Sequence, residues 1–217
     1  MPGRLVLASA SSRRKEILAA AGIDCDVLPS SVEERQTETE STEDFVRRIA
    51  WEKANEVLSR LPTDSGRTVL GGDTVVLVNG LTLGKPQSAE DATRMLRMLS
   101  GREHRVLTGV CLLYTPAGEP PCPDHLWKDI RAVSTTVRFS PLSEREIADY
   151  VATGEPFGKA GAYAIQGRAS KFVERIEGCY SNVVGLPVAT VYQMLKNLES
   201  AIKEKPLPLR SKGSESG

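Results

Sequence analysis

The sequence lacks several things, and each shortage removes a class of protein. It has no net charge: 28 Lys and Arg stand against 28 Asp and Glu in 217 residues. A chain that grips long nucleic acid by bulk electrostatics needs a positive surface, so that class is set aside. A local positive pocket for a small anion stays open. No apolar run approaches the ~20 residues that a bilayer crossing requires. Met1-Pro2-Gly3-Arg4-Leu5-Val6-Leu7 turns polar again at Ser9, short of a signal peptide's apolar stretch and cleavage site. Cysteine is sparse: Cys25, Cys111, Cys122 and Cys179 lie far apart, with no C-x-x-C pair. They read as reduced thiols of a cytoplasmic protein and not as a disulfide framework. Histidine is sparser still. His104 and His125 sit away from every polar cluster described below, so a His-rich zinc site and a Ser-His-Asp triad have little support.

What remains is an ordinary globular balance, 40% hydrophobic and 26% charged, in a chain long enough for a proper core. Arg4 to Ala8 reads as a buried strand, and Ser9-Ala10-Ser11-Ser12 opens onto a helix that starts at Arg13 and stops at Gly22. Cys25 to Leu28 is a second strand, and Glu33 to Glu43 a polar loop. Ser41 and Asp44 have capping spacing before a helix with Phe45, Ile49, Ala50, Ala54, Val57, Leu58 and Leu61 on one face. Thr68 to Gly72 is a strand running into Asp73. Val75 to Val78 and Leu81 to Leu83 flank Asn79-Gly80 as a hairpin. Ser88 caps a helix that ends at Gly101. Val106 to Tyr114 and Ile130 to Phe139 are β-rich, joined by a Pro-rich excursion. Ser143 to Glu146 is a capping box. A glycine-punctuated stretch from Gly154 to Gly185 precedes a last helix over roughly Pro187 to Leu198. The body is α/β or α+β.

Five segments could carry chemistry. Ser9-x-Ser11-x-Arg13-Arg14 joins strand to helix, where unpaired amides, hydroxyls and guanidinium groups suit an anion; simple N-capping is the competing account. Asp73, behind Gly71-Gly72 at a strand end, could hold a divalent cation or act as general base, or be an ordinary turn aspartate. Lys85 in Gly84-Lys85-Pro86 lacks P-loop spacing; it meets phosphate as a point charge on a loop or stays solvated. In Gly158 to Gly167, Lys159 suits phosphate and Gln166 a base edge, unless the loop is a plain glycine-rich connection. Ser181 to Pro187 reads as a structural loop. Glu33 and Glu34 could complete a metal site with Asp73, or form a solvated acidic pair.

Taken together and in this order, LASASSRR (7–14), GGDTVV (71–76), GKP (84–86), KAGAYAIQG (159–167) and VVGLP (183–187) resemble the Maf family of nucleoside triphosphate pyrophosphatases. The resemblance covers essentially the whole chain except its tail. It implies a two-lobed, inosine-triphosphatase-like α/β fold with a long twisted mixed sheet and a central cleft, in one domain over 1–200; the polar composition of 201–217 reads as a disordered tail. The resemblance also implies hydrolysis between the α- and β-phosphates, giving a monophosphate and pyrophosphate, with a divalent metal, Mg²⁺ or Mn²⁺. Asp73 matches the family's catalytic aspartate, and Ser9 the serine of its phosphate loop. Arg13, Glu34, Lys85 and Lys159 match positions that handle phosphate or metal, Glu34 beside Asp73 as a metal ligand. Arg14 adds a fourth positive charge.

The family's Arg13, Thr74 and Gln166 positions separate members acting on dTTP and UTP from those acting on 7-methyl-GTP. The latter carry tryptophan before the paired arginines and Ser-Glu where Ile165-Gln166 stands, so the chain resembles the dTTP/UTP type. It departs at Gly158, usually aspartate, and at Gly72, commonly alanine. The same chemistry on another modified nucleotide and a non-catalytic nucleotide sensor regulating septum formation are the alternatives. The partner implied is a nucleoside triphosphate in the cytoplasm, with no nucleic acid or membrane, and with a homodimer allowed.

Overall fold

The structure, a computed structural model, describes residues 4–37, 39–64, 66–120 and 125–204. Its elements in chain order are β1 (Leu5–Ala8), α1 (Ser12–Ala20), β2 (Cys25–Val27), α2 (Thr42–Arg60), β3 (Arg67–Val78), β4 (Leu81–Leu83) and α3 (Ala89–Leu99). There follow β5 (Glu103–Thr115), β6 (Trp127–Phe139), α4 (Glu144–Val151), β7 (Val173–Glu177), α5 (Tyr180–Val184) and α6 (Val188–Glu204). The helix starts obey their sequence signals: Ser41, Ser88 and Ser143 each accept a bond from the amide three residues on, and Ser143 and Glu146 complete a capping box. Ser11 takes the N-cap position of α1 but makes no side-chain cap bond. The first-turn amides of α1 are thus left without a side-chain partner.

All seven strands form one mixed sheet in the order β2-β1-β3-β5-β6-β7, with β4 also on β3. β1 runs parallel to β2 and β3, and the remaining pairs are antiparallel. β3 and β5 are long enough to serve both halves of the molecule. In the first half, α1 and α6 pack on one sheet face around Leu7, Leu70, Leu112 and Met194. α2 covers the other with Ala50, Ala54, Val57 and Leu58. In the second, α3 and α4 close over Val76, Val106, Phe139 and Phe172. These are the two lobes.

Several expectations change. The strand read as ending before Asp73 continues unbroken through it to Val78, because the glycines at 71 and 72 lie inside a strand and not at a turn. Residues 181–184, read as the start of a structural loop over Ser181 to Pro187, belong to the short helix α5. It is stitched to the sheet by the wholly buried Asn182, whose Nδ2 donates to Val106 O at 3.0 Å and Thr135 Oγ1 at 3.0 Å. The last helix overruns the domain boundary expected at 200, since 201–204 are helical. The remainder of the polar tail, 205–217, and Cys122 with the core of the Pro-rich excursion lie outside the described residues. Cys25, Cys111 and Cys179 are free thiols.

Candidate active site

The cleft begins with an interruption in the sheet. On one edge of β3, β1 pairs as far as Ala8 opposite Gly71, and β4 takes over only at Val76 opposite Leu83. Between these partners the strand meets side chains, chiefly that of Arg14, which reaches in from α1. Arg14 donates to Gly72 O at 2.8 Å, to Ser9 Oγ at 2.9 Å, to Thr74 Oγ1 at 3.0 Å and to Gly185 O at 2.8 Å. A guanidinium has five N–H donors, so four of Arg14's are taken within the protein.

On the α2 face, two glycines set the spacing. A Cβ on Gly71 would run into the Ala50 carbonyl oxygen, and one on Gly109, directly opposite Asp73 on β5, into that of Val46. With hydrogen atoms there instead, the backbone of α2 lies directly on the sheet. This closeness brings Lys53, otherwise in the apolar stripe of the helix, to Asp73. Lys53 Nζ donates to Asp73 Oδ1 at 2.8 Å and to Glu34 Oε1 at 2.6 Å, and Lys85 Nζ reaches Glu34 Oε2 at 3.1 Å. Asp73 is 4% exposed and Lys53 7%. The result is an alternating chain of charge, Asp73, Lys53, Glu34, Lys85, running from the sheet to the surface. Burial pushes the Glu34 carboxyl up, but the two lysines outweigh it and hold the group down at about 2.

These groups line one cavity of about 580 Å³ between the lobes. Ser9, Arg13, Arg14, Glu34, Asp73, Thr74, Lys85, Lys159 and Gln166, all singled out from the sequence, border it. Glu33, read with Glu34 as a possible metal ligand, does not: it is exposed and pairs with Arg35 at 3.1 Å. The residues that border the cavity are not equally available. Arg14, expected beside Arg13 as a phosphate ligand, is buried and bonded internally, because a guanidinium there replaces the missing strand neighbour. Thr74 is similarly engaged, with Thr108 Oγ1 at 2.9 Å and Gly185 O at 3.3 Å besides Arg14. Ser9 Oγ accepts from Arg14 and from the Ser11 amide at 3.3 Å, which leaves its own proton to donate. Arg13 makes one long bond, to Gly158 O at 3.4 Å, and Lys159 one to Phe157 O at 3.3 Å. Burial, then the neighbouring Arg13 charge, lowers the pKa of Lys159, and burial also lowers that of Arg13. Two cations in mutual repulsion, with donors to spare, are stabilised by an anion. Gln166 is exposed and bonds no described residue.

Lys53 is the functional residue that sequence reasoning missed. Its signal was a lysine four positions after Ile49 and three after Ala50, on the face of α2 that the apolar residues define.

Among the described residues no three or more His, Cys, Asp or Glu side chains gather as a metal nest. Asp73 and Glu34 nevertheless flank one point, occupied by Lys53 Nζ, and Asp73 Oδ2 makes no bond to a described residue. Two carboxylates fit a hard divalent cation when phosphate oxygens supply the rest of its oxygen shell.

A family model described as Maf-like protein matches residues 4–198. The dTTP/UTP pyrophosphatase of Geobacillus sp. (strain WCH70) is 47% identical over 195 residues, covering 90% of this chain and 98% of that one. The dTTP/UTP pyrophosphatase of Anaeromyxobacter sp. (strain Fw109-5) is 48% identical over 197 residues, 90% of each. Among solved structures, the Staphylococcus aureus Ham1 protein is 16% identical, over 63% of this chain and 72% of that chain, with a TM-score of 0.39, too distant a likeness to inform the site.

Proposed function

The chain belongs to the Maf-like protein family, and from that membership and the chemistry of the cleft we propose that it is a nucleoside triphosphate pyrophosphatase acting on dTTP and UTP. It hydrolyses the anhydride between the α- and β-phosphates, releasing the monophosphate and pyrophosphate in a nucleotide-pool cleaning role in the cytoplasm. The observation that carries this reading is the chain from buried Asp73 and Lys53 out to Glu34, opening onto a cavity rimmed by Arg13, Lys85 and Lys159.

In this reading the rim cations, the uncapped amides of α1 and the Ser9 hydroxyl hold the triphosphate and stabilise the charge that grows on the departing pyrophosphate. Asp73 accepts a hydrogen bond from the attacking water and takes up its proton as the phosphorus–oxygen bond forms and the bridging bond breaks. A proton acceptor works only within hydrogen-bond reach of the water it takes the proton from, so the orientation of the carboxylate matters. Lys53 fixes that orientation through its hydrogen bond to Oδ1. Asp73 and Glu34 would hold a divalent cation, Mg²⁺ or Mn²⁺, which supplies Lewis acidity toward the phosphate oxygens when bound. Gln166, with one donor and one acceptor on the same amide, pairs with the edge of uracil or thymine. Arg14 and Thr74 support the phosphate loop from behind.

The test is a panel of nucleoside triphosphates with Mg²⁺ or Mn²⁺, assayed for pyrophosphate. The reading expects UMP or dTMP plus pyrophosphate. A protein that binds a triphosphate tightly and releases no pyrophosphate is a sensor and not an enzyme. Turnover of 7-methyl-GTP alone overturns the choice of substrate.

No membrane-crossing helix competes with this reading, since none among the described residues is long and apolar enough to span a bilayer.

A further inference from the structure

Gln166 sits at the middle of a tight turn, closed by the Gly167 amide donating to Ala164 O at 3.0 Å. Its neighbour Ile165 is buried in the core of the second lobe, while Gln166 itself faces the cavity. Both ends of the turn are tied to a pair of side chains that do not line the cavity, although the Glu155 charge is felt by Lys159. At the near end, the Ala164 amide donates to Tyr150 Oη at 3.1 Å. At the far end, the Arg168 amide donates to Glu155 Oε2 at 3.1 Å. The two anchors are joined, because Tyr150 Oη donates to Glu155 Oε1 at 2.8 Å.

The pair is itself held firmly. Tyr150 is 2% exposed on α4 and meets Phe172 edge-on, with ring centroids 5.5 Å apart. Glu155 follows a turn in which its amide donates to Thr153 Oγ1 at 3.1 Å and Thr153 Oγ1 donates to Tyr150 O at 2.6 Å. Room for the carboxylate exists because residue 167 is glycine: a Cβ there would lie 2.5 Å from either Glu155 oxygen. The sequence motif thus contains a glycine that leaves room for a carboxylate from twelve residues away.

We propose that Tyr150 and Glu155 are positioning residues that set base selectivity by fixing how far the Gln166 amide reaches into the cavity. The proposal rests on Gln166 reading the base, as above, and adds what gives that reading its discrimination. An amide alone does not separate uracil from guanine. Uracil offers a carbonyl beside a ring N–H, and guanine offers the same pair in the same sequence, on a larger ring system that carries the edge further from the sugar. The chemistry of recognition is shared, so only the placement of the amide tells the two apart. Placement belongs to the turn, and the turn belongs to Tyr150 and Glu155.

The experiment measures kcat and KM for UTP and GTP in the wild type, Glu155→Gln, Tyr150→Phe, Gln166→Ala and the Glu155→Gln/Gln166→Ala double variant, with inhibition by inorganic tripolyphosphate as a base-free control. Each positioning variant is expected to lower the UTP-to-GTP ratio of kcat/KM by roughly tenfold or more, chiefly through KM for UTP, the scale on which a hydrogen-bonding site discriminates. Tripolyphosphate inhibition stays unchanged in Tyr150→Phe, which keeps the Glu155 charge that Lys159 feels. The double variant falls no further than Gln166→Ala alone, since both changes remove one interaction. A merely structural role predicts the opposite: a lowered Tm with both nucleotides and tripolyphosphate weakened alike. That outcome, an unchanged UTP-to-GTP ratio, or additive losses in the double variant each overturn the proposal while UTP hydrolysis stands. Should Glu155→Gln fail to fold, Tyr150→Phe carries the same comparison. A wild type with no preference for UTP over GTP removes the reading of Gln166 and this inference with it.

Discussion

The floor and the rim of the cleft hold nearly the same inventory of charged side chains and treat them in opposite ways. On the floor, Asp73, Lys53 and Arg14 are at most 8% exposed and hang from β3, α2 and α1, with bonds of 2.8 to 3.0 Å among themselves, to main chain and to the Thr74 hydroxyl. On the rim, Arg13, Lys85, Lys159 and Gln166 are part-exposed or exposed, and the bonds of Arg13 and Lys159 stretch to 3.4 and 3.3 Å. The two neighbouring arginines make the contrast sharpest. Arg14 spends its donors on the protein, and Arg13 keeps most of its donors. Groups whose mutual geometry must not vary are placed on packed elements, while groups that must meet a ligand keep unsatisfied donors at the cleft mouth.

That division can be broken experimentally, most severely on the floor. Asp73→Asn should lower kcat by about 10²–10⁴-fold, the range for loss of a positioned proton acceptor, with a smaller stability loss than Lys53→Met because Lys53 keeps Glu34 at 2.6 Å. Lys53→Met should damage both activity and stability. It leaves a carboxylate buried without its cation, a loss of ~3–5 kcal/mol that urea unfolding would read directly. If Lys53→Met unfolds at the wild-type midpoint, the floor is not the rigid unit described. On the rim, Lys85→Ala and Lys159→Ala should raise KM roughly tenfold, as expected for one hydrogen bond to a charged group, and leave kcat within a few-fold. A kcat loss in Lys85→Ala equal to that of Asp73→Asn would erase the distinction between the regions.

The smallest effect concerns pH. Glu34, at about 2 in the folded protein against an ordinary 4.5, binds protons less readily when folded than when unfolded. Its contribution to stability is therefore present above about pH 4.5 and is lost as the pH falls toward 2. Unfolding free energies of wild type and Glu34→Gln, measured from pH 7 downward, should converge across that window. A gap that widens as the pH falls would contradict the assignment.

Much of this was legible in the sequence, where local rules govern. The serine caps at 41, 88 and 143 and the Asn79-Gly80 hairpin, with φ of 50° and 77°, follow from short-range chemistry. The family motifs hold eight of the nine candidate residues that border the cavity, and Glu34 lies outside them. What escaped depends on contacts between distant segments. Gly71-Gly72-Asp73 looked like a strand end because glycine weakens strands in general; its reason for being inside one is the backbone of a helix that no local pattern reveals. Lys53 escaped because a stripe is recognised by its apolar members. Arg13 and Arg14 are indistinguishable as letters, and their roles divide only because one residue turns the helix by about 100° and aims the second at the gap beside β3.

The two glycines beneath α2 also bear on how this chain can vary. Elsewhere between helix and sheet an enlarged side chain meets other side chains, which can change rotamer to make room. At 71 and 109 it meets carbonyl groups of the helix itself, and the whole helix would have to lift. The distance from lysine to aspartate is thus written into the chain as two hydrogen atoms, and a lineage that keeps that bond has no freedom to add a methyl group at either place.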